Sequence, residues 1–600
     1  MAAGTEGNAA QYCQVRDDGS VMPPPLPDEA TLRTTKQGSV VGFRGPQGEC
    51  VWLGLPYALP PIGALRWRAP QPAASWRGTR QALRAGPASA QRVPGARRYI
   101  GSEDCLYLNI WAPSSTANAT ARNGDCHLPV MVWIHPGGNL RGQGADFDGG
   151  VLAESQSVIV VSVNFRLGVL GWLRHAALRA GIGTEDASGN FGDLDLIGAL
   201  RWIRGNIREF GGDPKNVTLF GQSAGALNIY ALMTSPLAAG LFHKAILQSG
   251  LPTSMATAAA ENYVDNEVSG HPQSSAELLL ELLVQDGACT DRAGAQAYIA
   301  SADNAKIAAY LRGKTFDELD RAGQALLRRA QKLDALAFPH TFNDGVVIPA
   351  NGVEHALFSS GIYARVPLII GCTRDEYTSL LPALRNSCLI SRDASGFRIQ
   401  DKQRYALVAE YVSKLMKAKS VDRAGSALAA NFPGRVFTYR FDWDALQPAQ
   451  WLDGFALGAT HGLEIPFVFG HTRLGAECSA AALIGPEVSE SFGMLSRSMM
   501  SYWAQFAHRG APGQGRGGEL PEWNACGQAG DERSRFIVFS DVGQQGIRMS
   551  ANSESKTEIL AQLKRDRRFG SDQERLDLWA GLVALGGFAL LDAGDLASIQ

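Results

Sequence analysis

The sequence predicts an α/β protein, with a mostly parallel central sheet flanked by helices. Three observations carry that expectation. Pro129-Val130-Met131-Val132-Trp133-Ile134 and Ser157 to Phe165 are near-continuous apolar runs, the pattern of strands covered on both faces. Leu196, Ala199, Leu200, Ile203 and Ile207 recur at helical spacing within Asp195 to Phe210. Val217-Thr218-Leu219-Phe220 then runs straight into Gly221-Gln222-Ser223-Ala224-Gly225-Ala226, which reads as a strand, a sharp turn and the start of a helix. Buried strands alternating with helices specify a parallel sheet between helical layers.

In order, residues 1–30 form a Pro-rich lead (Met22-Pro23-Pro24-Pro25-Leu26-Pro27) that can bury little apolar surface and is expected to be flexible. Ser39-Val40-Val41-Gly42-Phe43 and Cys50-Val51-Trp52-Leu53-Gly54 read as two short strands at a sheet edge. The prolines in Leu55 to Gly63 keep that segment extended. Glu103 to Trp111 alternates apolar with polar and is the next predicted strand. Lys244 to Ser249, Val366 to Gly371, Val436 to Phe441 and Phe536 to Phe539 continue the sheet. Two stretches rich in Ala and Leu, near 252–332 and 387–430, read as helical insertions covering the active site. The expected organisation is one catalytic domain over 31–580 followed by an apolar tail at 581–600.

Composition narrows the class. With 45% hydrophobic and 19% charged residues, 600 residues can build a large core. A formal charge of −2 with no run of one sign gives no footing for nucleic acid. Leu578 to Leu591, interrupted by Gly581, Gly586 and Gly587, falls short of the roughly 20 apolar residues a membrane span needs. The first 30 residues lack the apolar segment of a signal peptide. Nine cysteines are scattered without a C-x-x-C spacing, so neither a disulfide framework nor a zinc site is expected.

The chemistry starts at Ser223. G-x-S-x-G is a weak signal alone in a chain with 67 glycines. Here it follows an apolar strand, the context of a nucleophile elbow, in which the serine takes a strained conformation and Gly221 and Gly225 avoid a collision across the turn. An acid should lie just after a later strand, because catalytic groups of open α/β sheets gather at the carboxyl ends of strands. Asp375 and Glu376 both satisfy this, and spacing does not choose between them. The base should come later, on a loop. Among His271, His340, His355, His461, His471 and His508, His461 is favoured because it opens Thr460-His461-Gly462-Leu463-Glu464 before the apolar Ile465 to Phe469. The N–H groups of Gly137, Gly138 and Ala224 are the candidate oxyanion donors, whereas Pro136 has none to give.

These residues, together with Pro56 to Trp67, Ser102 to Trp111, Asn164 to Gly168, Asn206 to Pro214, Asn343-Asp344-Gly345 and Trp503 to Ala507, make the chain resemble the type-B carboxylesterases, which include the cholinesterases and bile-salt-activated lipases. The matching stretches run in the family's order from about residue 35 to 580. The resemblance implies an α/β-hydrolase fold, Ser223 as nucleophile, Glu376 as acid, His461 as base, and an oxyanion hole of Gly137, Gly138 and Ala224. The implied activity is hydrolysis of small-molecule carboxylic esters through an acyl-enzyme, with no metal or organic cofactor. A binding or adhesion module on the same fold, or a lipase-like relative, is the alternative.

Four departures qualify the likeness. The oxyanion loop reads Pro136-Gly137-Gly138-Asn139 where the family commonly has Gly-Gly-Gly-Phe. Gln222 stands where an acidic residue usually precedes the serine, which favours small or medium uncharged esters. Val93 to Gly101 contains no counterpart of the cholinesterase tryptophan. Finally, the cysteine that pairs with the equivalent of Cys105 in secreted relatives is replaced within Gly86-Pro87-Ala88-Ser89, which fits a reducing, cytoplasmic setting.

Overall fold

The computed structural model describes residues 25–93, 98–117, 127–179, 183–329, 341–361, 363–384, 389–393, 396–474, 476–527, 535–541, 543, 545–584 and 590. Most of the Pro-rich lead, His340 and most of the 581–600 tail lie outside these residues. The chain divides into two compact units. The first comprises Met1–Lys244, Pro252–Ala330 and Pro339–Ala364, and the second comprises Ala245–Leu251, Gln331–Phe338 and Arg365–Gln600.

In the first unit, six strands are ordered β6-β4-β5-β3-β2-β1, where β1 is Phe43–Arg44, β2 Cys50–Pro56, β3 Tyr107–Ala112, β4 Leu128–Ile134, β5 Ile159–Val163 and β6 Gly212–Gln222. The β4, β5 and β6 strands are parallel, with Val217 opposite Val130 and Ile159 opposite Val130 on the other side. The three earlier strands are antiparallel, joined without the helical crossovers that parallel pairing requires. The apolar runs become the parallel strands because they are buried on both faces: all five residues of β5 and six of the seven in β4 are buried. Trp133 packs between Phe147 and Phe220, with ring centroids 5.1 and 4.8 Å away.

Helix α1, Phe191–Asn206, is tied to the segment after β5 by the ion pair of Arg166 and Asp195. The guanidinium donates to both carboxylate oxygens at 2.8 and 2.7 Å, and the Arg166 backbone N–H adds a third bond at 3.0 Å. Bidentate pairing of this kind is what makes two buried charges tolerable. The stretch after Pro252 forms helices Ser275–Gln285, Arg292–Ser301, Asn304–Gly313 and Phe316–Arg329.

In the second unit the order is β11-β10-β9-β8-β7, where β7 is Lys244–Gln248, β8 Leu368–Thr373, β9 Val436–Phe441, β10 Phe536–Phe539 and β11 Arg548–Ser550. The pairs from β7 to β10 are parallel and β11 is antiparallel. Tyr439, Trp503, Trp523 and Phe539 form an aromatic cluster behind these strands, with centroids 5.4 to 6.3 Å apart. The stretch from 387 includes an antiparallel strand pair, Ile390–Asp393 with Gly396–Ile399, before the helices Lys402–Lys417 and Ala424–Asn431.

Three strands differ from the sequence reading. Ser39–Val41 belongs to a separate small sheet with Arg33–Thr34 and Thr79–Gln81, and only Phe43–Arg44 joins the main strands. The break is at Gly42, where a Cβ would lie 2.0 Å from the Val51 carbonyl oxygen. The strand expected from Glu103 begins at Tyr107, because Glu103 is drawn into an ion pair with Arg66 and the Tyr107 N–H turns back onto the Cys105 carbonyl at 2.8 Å. The strand expected at Val366 to Gly371 is displaced to Leu368–Thr373, Pro367 having no N–H for a ladder. That displacement carries the strand's end up to Arg374-Asp375-Glu376.

Candidate active site

Within the first unit, β6 ends at Gln222 and helix α2, Ala224–Thr234, begins one residue beyond Ser223. Ser223 has φ 55° and ψ −122°, a conformation costing about 1–3 kcal/mol for a residue with a side chain, as the motif requires. Its neighbours permit it by having no side chains. A Cβ on Gly225 would sit 2.0 Å from the Ile134 carbonyl oxygen, and one on Gly221 would sit 2.8 Å from the same atom. The end of β4 therefore presses directly on the elbow. Gly225→Ala is expected to destabilise the fold by about 1–3 kcal/mol, the usual range for overpacking, and to lower kcat as the turn shifts. Thermal denaturation and steady-state kinetics would check this, and an unchanged kcat would refute it.

The loop after β4 is built of left-handed residues: Gly137 at φ 116°, Gly138 at 65° and Asn139 at 58°. The N–H groups of Leu140 and Arg141 both return to the Gly137 carbonyl, at 3.1 and 3.2 Å. Among the described residues, no acceptor meets the N–H of Gly137, Gly138 or Ala224. His135, fully buried and stacked on Phe165 at 4.5 Å, braces the start of the loop. Burial pushes its pKa down to about 4, so the ring is neutral, and its Nδ1–H donates to the Pro136 carbonyl at 2.8 Å. The Asn139 side chain exchanges two hydrogen bonds, each 2.9 Å, with Asn228 of α2. Cys105 is a buried free thiol with Ser89 as a hydrogen-bond partner, so no disulfide stands at that position.

Within the second unit, the two carboxylates after β8 part company. Asp375 is held by Arg374, itself bridged to Asp444 at 2.7 Å, and accepts the Ala459 N–H at 2.8 Å. Glu376 is fully buried and its Oε2 meets His461 Nδ1. Its Oε1 accepts the Thr373 N–H at 2.7 Å and the Ser249 hydroxyl at 2.5 Å. The His461 loop is pinned to the Glu376 loop by the Asp375 N–H on the Ala459 carbonyl, 2.9 Å, and by the Thr378 and Thr460 hydroxyls, 2.9 Å apart. Of the other candidate bases, His271 serves locally, its Nδ1 accepting the Gln273 N–H at 3.0 Å.

Burial alone would raise the Glu376 pKa and lower that of His461. The opposite charges and the hydrogen bond between them outweigh it, aided for Glu376 by Ser249 and Thr373, so Glu376 lies below the usual carboxylate value and His461 above the usual imidazole value. A third carboxyl, Glu464, is raised to about 7 by burial and by the like charge of Glu376. Its Oε1 accepts from Gln248 at 3.3 Å.

Sequence reasoning did not find Ser249, Glu464, His135 or the Asn139–Asn228 pair. Ser249 carried one signal, a polar pair Gln248-Ser249 at the end of a buried strand; the others carried none beyond their residue types.

Comparison with known proteins shows the family of the chain. The model of the Carboxylesterase family matches residues 29–420 and 398–554. The chain is 32% identical over 522 residues to a fumonisin B1 esterase of Sphingopyxis macrogoltabida, covering 84% of this chain and 86% of that protein. It is 33% identical over 526 residues to a para-nitrobenzyl esterase of Bacillus subtilis (strain 168), covering 85% and 95%. A solved PNB esterase structure superposes with a TM-score of 0.64 at 28% identity, covering 88% of this chain and 98% of that one. With an α/β-hydrolase fold and matches of this extent, the chain belongs to the carboxylesterase family and is a carboxylic ester hydrolase.

Proposed function

We propose that this enzyme cleaves small-molecule carboxylic esters through a serine acyl-enzyme, with Ser223 as nucleophile, His461 as base and Glu376 as the acid behind it. The observation that carries the reading is the strained Ser223, held at φ 55° between a strand and a helix. Strain of this kind persists where function requires it. The Glu376–His461 pair supports the same reading, since a buried carboxylate on Nδ1 leaves Nε2 as the basic nitrogen.

In the first step, Ser223 Oγ attacks the ester carbonyl carbon while His461 Nε2 takes the hydroxyl proton. The negative charge develops on the carbonyl oxygen, for which the N–H groups of Gly137, Gly138 and Ala224 are the proposed donors. The C–O bond to the alcohol breaks, and the alcohol leaves with the proton from Nε2. Water then gives a proton to Nε2 and attacks the acyl carbon, and the acid departs as Ser223 recovers its hydrogen. Residues 31–580 are proposed to work as one catalytic domain. With Gln222 in place of a charged residue before the serine, uncharged esters of small or medium acyl groups are the proposed substrates.

A fluorophosphonate probe tests this directly. The folded enzyme should be labelled on the peptide containing Ser223, mapped by mass spectrometry, and the label should vanish in Ser223→Ala. A folded protein that takes no label, or takes it elsewhere, overturns the proposal.

A further inference from the structure

The Asn139 and Asn228 side chains face one another as a closed amide pair. Each Nδ2 donates to the other's Oδ1 at 2.9 Å, and the two residues are 2% and 0% exposed. Their positions in the chain give the contact its meaning. Asn139 directly follows Gly137 and Gly138, and Asn228 lies on α2, just over one helical turn after Ala224. The pair therefore joins the two segments that carry the three free amides.

The remaining bonds around Asn139 fix the loop from its other side. Its carbonyl accepts the Gly168 N–H at 2.7 Å, and its φ of 58° suits asparagine better than most residues with a side chain. Its side-chain oxygen and nitrogen and its carbonyl are thus partnered in a position with almost no access to water. A buried amide pair of this kind has one geometry, because any slippage leaves a donor and an acceptor unmet.

We infer that Asn139 and Asn228 are positioning residues for ester hydrolysis, their paired amides setting the loop donors Gly137 and Gly138 in register with the helix donor Ala224. The inference rests on the oxyanion role proposed above for these three amides. It adds that their alignment is fixed by a side-chain clamp as well as by the backbone of the turn. Neither asparagine touches the reacting atoms; both act through the amides they hold. Alignment of donors matters chiefly when the carbonyl oxygen becomes charged, so loss of the clamp should appear in kcat.

The test compares Asn139→Ala, Asn139→Gly, Asn228→Ala and the double variant Asn139→Ala/Asn228→Ala, using p-nitrophenyl acetate as substrate and an alkyl trifluoromethyl ketone as a mimic of the tetrahedral oxyanion. Asn139→Gly keeps the left-handed backbone unstrained and removes only the amide, so it remains informative if an alanine variant fails to fold. Each folded single variant should lose about 10- to 100-fold in kcat, less than the roughly 10²–10³ lost with a whole donor. KM should stay within a factor of about three, and the inhibition constant of the ketone should rise in parallel with the fall in kcat. The double variant should lose no more kcat than the worse single variant, because both remove one contact.

Variants with a lower melting temperature but native kcat and native ketone affinity would show the pair to be purely structural and overturn the inference. Losses confined to KM would do the same. Ser223→Ala, run alongside, separates this from the broader reading: if it keeps native activity, the serine mechanism itself fails, whereas if it is inactive and the asparagine variants turn over normally, only the clamp is refuted.

Discussion

Ser223→Ala and His461→Ala are each expected to lower kcat by about 10⁶, the scale on which removal of either the nucleophile or the base disables a hydrolase of this mechanism. The two residues act as one unit, since a serine hydroxyl without its base is a poor nucleophile and the base without the hydroxyl has no proton to take. The double variant should therefore be no slower than either single one. What survives in all three should be the modest rate supplied by binding and by the oxyanion amides. KM should change little where chemistry is slow compared with release of substrate. Stopped assays over long incubations, with mass spectrometry to exclude contaminating native enzyme, give the measurement. Residual rates that multiply, so that the double variant falls far below both singles, would mean that the two side chains work independently.

Glu376→Gln should lower kcat by about 10³–10⁴ and move the pH profile, which distinguishes a charge effect from a simple loss of packing. In the native enzyme, burial works to lower the His461 pKa, but the charge of Glu376 and its hydrogen bond leave it above 6.5. Activity requires the neutral imidazole, so the acidic limb of kcat/KM should lie above pH 6.5 in the native protein. Glutamine keeps the shape and removes the charge. The limb should then move to lower pH than in the native enzyme. Glu464 also raises the His461 pKa and loses the like charge of Glu376 in the variant, so it offsets part of the shift.

Stability follows the same pair with opposite signs. The lowered pKa of Glu376 contributes stability above its ordinary value of 4.5 that is lost as pH falls through the folded value; the raised pKa of His461 contributes below 6.5 and is lost as pH rises through its folded value. Between about pH 4.5 and 6.5 both contributions stand, so urea unfolding should find the variant's deficit greatest there. A limb that stays in place in Glu376→Gln would remove the carboxylate from its assigned role.

Much of the fold was legible because the signals were local. The buried strands β4, β5 and β6 declared themselves as apolar runs, and α1 declared itself by its spacing, since an element covered on both faces or along one stripe must show it in its own residues. Boundaries were less legible where a side chain had business elsewhere, as with Glu103, taken by Arg66, and Gly42, where the Val51 carbonyl leaves no room for a Cβ. Among site residues, Ser223 was readable because the elbow's sterics are confined to five consecutive positions. His461 was favoured by its loop but could not be separated from other histidines without the family likeness.

The sequence by itself determined that a serine would sit on a strained turn at the end of a buried strand, with glycines on either side and a Gly-rich loop upstream. These are demands of backbone sterics, and steric demands are met by residue type at fixed spacing. Spacing left Asp375 and Glu376 open and the family likeness named Glu376, but only the tertiary structure gives the reason that Glu376 meets His461: Arg374 and the Ala459 N–H claim Asp375, while Ser249 and the Thr373 N–H brace Glu376. It likewise decided the pairing of Asn139 with Asn228, 89 positions apart. A hydrogen bond between distant side chains depends on two segments being brought together, and no spacing along the chain records it.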